Sequence, residues 1–87
     1  MPLYLDMHHL VKGVTAEDVE EAHRKDLEVQ KKYGVKYLKY WHDLASGRAF
    51  CLIDAPNKEA AIAVHREAHG LVPNEIFEVT EGPEPEE

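Results

Sequence analysis

VKYLKYWHDL (residues 35–44), the short link Ala45-Ser46-Gly47 and RAFCLID (residues 48–54) form the stretch on which the fold turns. Both flanks are rich in β-branched and aromatic side chains, which fit a pleated, half-buried surface, and the small residues between them supply a hairpin turn. Two antiparallel neighbours are therefore expected here. What lies on either side of them decides the topology.

Upstream, Thr15 is followed three residues later by Asp18, a capping-box pattern, with Val14 and Val19 placed as a hydrophobic staple. A helix should run from there through Tyr33 and stop at Gly34, which is free to take the left-handed conformation that closes helices. Downstream, Pro56-Asn57 ends the strand and Asn57 caps a second helix, KEAAIAVHREAH, whose end is marked by Gly70. Before the first helix, LYLDMHH (residues 3–9) alternates Leu3, Leu5 and Met7 against Tyr4, Asp6 and His8; after the second, EIFEV (residues 75–79) makes a short last strand.

The order strand, helix, strand, strand, helix, strand predicts an α+β, ferredoxin-like βαββαβ domain. It has a four-stranded antiparallel sheet, two helices on one face, and the first and third strands in the centre. The other face stays open. Tyr, Trp and Phe there would form a contiguous apolar patch, which a two-fold homodimer would bury. Tyr37 and Trp41 are expected to share that face, as dimer packing or as the wall of a pocket between subunits.

The chain has 87 residues and a net charge of −7. Residues 1–80 read as one domain and 81–87 (EGPEPEE) as a disordered acidic tail. Glu81, Glu84, Glu86 and Glu87 supply four of the negative charges, so the body carries only −3. Its few basic residues are spread out, which argues against nucleic acid, since phosphate binding needs a clustered Lys/Arg face. The lone Cys51 allows no intramolecular disulfide, and no run approaches the roughly 18 apolar residues of a membrane helix. The start has no positively charged segment before an apolar one, so a cytoplasmic location without membrane contact is expected.

Histidine supplies the candidate chemistry. His65 and His69 stand at i and i+4 on the second helix, one turn apart on one face, the spacing of H-x-x-x-H metal sites. Arg66 occupies the position where zinc proteases carry glutamate, so no peptidase is inferred. Two solvent-facing histidines near a helix end, favoured by the helix dipole, are the competing reading. His23 and Asp26 fall at i and i+3 on the first helix, the spacing at which a carboxylate orients an imidazole, as well as that of an ordinary solvated pair. On the first strand Asp6 and His8 face one way and His9 the other. Cys51, on the other central strand, is a potential thiolate ligand or a small core residue; thiolate plus imidazoles suits nickel, copper or zinc. The metal-ligand candidates are thus His8, His23, Cys51, His65 and His69, while His42 reads as a rim residue.

The motifs Asp6 to His8, Gly13 to Val19, Ala22 to Leu27, Tyr33 to Trp41, Phe50 to Leu52, Ala55-Pro56 and His65 to Gly70 together resemble a small bacterial family of unknown function. That family includes a nickel-responsive, nickel-binding protein. The resemblance spans nearly the whole chain apart from the tail and implies a dimeric α/β barrel that binds Ni²⁺, without an established catalytic activity. The leading expectation is therefore a homodimer binding a divalent transition metal. The alternatives are a small enzyme holding an organic substrate on the open sheet face, in a pocket lined by Tyr37, Trp41 and His8, and a plain interaction module. No nucleophile–base pair or glycine-rich phosphate loop supports catalysis by motif.

Overall fold

The first helix, α1 (Ala16–Val29), begins where the capping chemistry places it. Thr15 Oγ1 accepts from the Asp18 backbone N–H at 3.2 Å and the Asp18 carboxylate accepts from Thr15 N–H at 2.9 Å, so donors without a helical partner are satisfied at the point where the helix starts. The structure is a computed structural model that describes residues 1–85. Instead of running on as one α-helix to Tyr33, the chain tightens into a 3₁₀ turn over Gln30–Tyr33. Gly34 at φ 67° then donates to the carbonyls of Gln30 and Lys31. The last four carbonyls of a helix lack intrahelical donors, and a helix end is commonly finished this way.

Around α1 the order is β1 (Leu3–His9), β2 (Lys36–Asp43), β3 (Arg48–Asp54), α2 (Lys58–Ala68) and β4 (Glu75–Val79). The strands form one antiparallel sheet in the order β2-β3-β1-β4, the ferredoxin-like arrangement with β1 and β3 central. Asn57 caps α2 by accepting from Ala60 N–H at 2.8 Å. Register gives each sheet face its residues. Asp6 pairs with Cys51, Tyr4 with Ile53 and His8 with Ala49, so these six line the helix side. There Tyr4, Val35, Tyr37, Cys51, Ile53, Ala55, Ala61 and Val64 make the buried core.

The opposite face carries Leu5, Met7, Phe50 and Phe77, with Trp41 48% and Phe77 53% exposed. Tyr37 does not join them. The pairing shifts between Tyr37 and Lys39, leaving Leu38 as an extra residue, and a bulge of this kind inverts the alternation upstream of it. Tyr37 therefore sits over Ile53 and Tyr40 over Cys51, both on the helix side, whereas Trp41 pairs with Phe50. Tyr37 is buried, and its hydroxyl donates to the Ala61 carbonyl of α2 at 2.8 Å. The expectation that Tyr37 and Trp41 share the open face is corrected by this one residue, and with it the open-face pocket they would have lined with His8.

Residues 81–85 are exposed and without regular secondary structure; the rest of the 81–87 tail lies outside the described residues. Among the described residues no helix is long and apolar enough to cross a membrane.

Candidate metal centre

His65, on the third turn of α2, is 1% exposed and faces the sheet. Its Nε2 lies 2.6 Å from Asp6 Oδ2 of β1, and its Nδ1 lies 2.9 Å from Asp26 Oδ1 of α1. A carboxylate can only accept, so each ring nitrogen donates and the ring is an imidazolium held between two carboxylates. Burial by itself would lower the His65 pKa, but the paired carboxylates reverse that and push it up to about 9. Asp6, whose burial alone would raise its pKa, is held down to about 2 by His65 and His8, and Asp26 is lowered in the same way by His65 and His69. Three elements are thus tied together by one ring.

The neighbouring imidazoles extend this network. His8 Nε2 lies 3.3 Å from Asp6 Oδ2 and 3.3 Å from His65 Nε2. His69 Nε2 lies 3.0 Å from Asp26 Oδ1, and its Nδ1 accepts from Leu71 N–H at 3.1 Å, which leaves Nε2 as the N–H that faces Asp26. Cys51 N–H donates to Asp6 Oδ1 at 2.9 Å; burial, reinforced by the charges of Asp6 and Asp26, pushes its thiol well above the ordinary range, so the sulfur stays protonated. Glu67, between the two histidines of α2, turns away to Lys32 and Tyr33.

Two sets of donors are close enough to share an ion. Ligand atoms of Asp6, His8, Cys51 and His65 lie within 4.8 Å of one another, and so do those of Asp26, His65 and His69. Donors bound to one metal at about 2.0–2.3 Å are separated by up to about 4.6 Å, so the spacing and the N, S and O chemistry both fit a transition metal. His8, Cys51, His65 and His69 are brought together. His23 stands outside both sets, its ring stacked on Tyr40 at 4.3 Å.

Asp26 serves His65 and His69 rather than its helix neighbour His23, because α1 packs so that Asp26 is buried against α2. The burial of His65 likewise removes the solvent-facing reading of the α2 pair. Asp6 and Asp26 are the members absent from the expected set. The alternation that puts Asp6 beside His8 was the available signal for Asp6; for Asp26 the i, i+3 spacing marked an imidazole-orienting carboxylate but pointed to His23, whereas its partners are His65 and His69 of α2.

Fold and cluster together define a small ferredoxin-like α+β protein with a buried imidazole–carboxylate core. The chain belongs to the SCO4226-like nickel responsive protein family, whose model matches residues 4–79. The crystal structure of SCO4226 from Streptomyces coelicolor A3(2) is similar to it, with a TM-score of 0.86 at 36% sequence identity over 93% of this chain and 99% of that one. Comparison with curated proteins finds no match.

Proposed function

We propose that this chain binds a divalent transition metal, nickel in the first place, at the junction of β1, β3 and α2, as a homodimer. The observation that carries the reading is the convergence of Asp6, His8, Cys51 and His65, four donors of three chemical types, on one buried point. Such a set suits nickel, copper and zinc alike, and the family description favours nickel among them.

In this reading His8 and His65 are the nitrogen ligands, with Asp6 and Cys51 completing the set. Binding requires His65 Nε2 and the Cys51 thiol to give up their protons, since only the deprotonated atoms coordinate. Asp26 would keep its bond to His65 Nδ1, fixing the ring and raising its basicity, with His69 holding Asp26 from the other side. The exposed apolar sheet face, centred on Trp41, Phe50 and Phe77, supports the homodimer, because an apolar patch of that kind is usually covered.

Isothermal titration of Ni²⁺ into the metal-free protein tests the assignment. His8→Ala and His65→Gln should each abolish or greatly weaken binding while circular dichroism shows a folded chain. Asp26→Asn should weaken it by about tenfold to a hundredfold through loss of the orienting carboxylate. Unchanged affinity in the His8→Ala/His65→Gln double variant would refute the site.

A further inference from the structure

A cavity of about 170 Å³ opens between α1 and the sheet, and three of the four proposed nickel ligands, His8, Cys51 and His65, form part of its wall. Asp6, the fourth, is fully buried and lies outside that wall, bonded to Cys51 N–H. The four donors thus reach their common point from β1, β3 and α2. The wall on the α1 side is built by Val14, Val19 and Ala22, which carry no donor atom. The carboxylates there are already engaged, Asp18 with Thr15 N–H and Asp26 with His65 and His69. His23, stacked on Tyr40, stands outside both donor sets. An ion at this point has protein donors on one side and an apolar chamber on the other. Metal centres that receive a small molecule keep a coordination position open in this way, whereas closed structural sites fill it with protein.

The chamber also selects what can enter. A divalent ion bound by one carboxylate and one thiolate is neutral overall and does not draw in an anion. Asp18 and Asp26 oppose an anion further, and the apolar walls penalise a charged group of either sign. A protonated amine has no lone pair to give. An engineered apolar cavity of about 150 Å³ admits benzene, so the space matches one small ring. Val11 and Leu71, 76% and 61% exposed, are the solvent-facing part of the lining and mark the way in.

We propose that the cavity admits a small neutral single-ring nitrogen heterocycle, of the pyridine or imidazole class, whose ring nitrogen takes the open position of the ion; this rests on the metal binding proposed above. The ring packs among Val14, Val19 and Ala22. Its nitrogen lone pair replaces that of a water molecule, and neither a proton nor an electron is transferred.

Isothermal titration first measures Ni²⁺ binding, and pyridine is then titrated into the Ni²⁺-loaded protein while the nickel absorption bands are followed. A saturable one-to-one band shift at about millimolar pyridine or below is expected, with nickel retained on desalting. The metal-free protein should bind pyridine at least about tenfold more weakly. Toluene, which lacks the nitrogen, and acetate, which is anionic, should leave the bands unmoved. Ala22→Phe, which fills the space, and Val14→Trp, a filling at a half-buried position, should each weaken pyridine by about tenfold or more while leaving Ni²⁺ affinity within about twofold of wild type. Absence of Ni²⁺ binding would remove the metal site and the heterocycle together. Ni²⁺ binding with bands that pyridine does not move, loss of the nickel to pyridine, a stronger response to acetate, or an undiminished shift in both filled variants would overturn the heterocycle site alone.

Discussion

At the scale of single residues, His65 sets the behaviour of the buried cluster. Its folded pKa of about 9 lies above the ordinary 6.5, so the stability it contributes is fully present below about pH 6.5 and is lost as pH rises through about 9. Asp6, lowered from 3.8 to about 2, contributes above about pH 4 and loses that contribution as pH falls through about 2. Both shifts describe largely one interaction, worth of order 3 kcal/mol once. The metal-free protein should therefore be most stable between about pH 4 and 6.5, and its thermal midpoint should fall as the pH is raised from 6.5 to 9. Denaturation scans across that range check this, and a flat profile would contradict the imidazolium assignment. The i, i+4 spacing of His65 and His69 was legible in the sequence because helical periodicity is local. The carboxylates that hold His65 lie 39 and 59 residues away along the chain, and nothing in their immediate neighbours announces that pairing.

At the scale of elements, local chemistry was legible wherever it was self-contained. Thr15 with Asp18, Asn57 with Ala60 and Gly34 at the end of the 3₁₀ turn each need only a few adjacent residues to do their work. Thr15→Ala should remove about 1 kcal/mol of unfolding free energy, read from urea denaturation as a lower midpoint with an unchanged slope. An unchanged midpoint would mean that α1 is held by packing alone. The bulge in β2 was hidden because Tyr37-Leu38-Lys39-Tyr40 supports either register by pattern. Only the fit of Tyr37 under α2, sealed by its hydroxyl bond to Ala61, selects the one observed.

At the scale of the whole molecule, the ferredoxin-like topology followed from element order, since right-handed crossovers leave one arrangement for β1 and β3. The proposed homodimer belongs to this scale. Light scattering should give twice the chain mass, and Trp41→Glu with Phe77→Glu should halve it by placing charge on the exposed apolar face. A wild-type protein that runs as a monomer at all concentrations would refute the dimer. Leu38 ties this surface to the interior. It acts as a phase shifter in the chain: were Leu38 itself paired in plain alternation, Tyr37 would point outward and Lys36 toward α2, whereas a chain lacking Leu38 would keep Tyr37 over Ile53 with Lys39 and Tyr40 following in regular register. The protein should consequently tolerate deletion of Leu38 far better than Tyr37→Ala, which empties the buried site under α2.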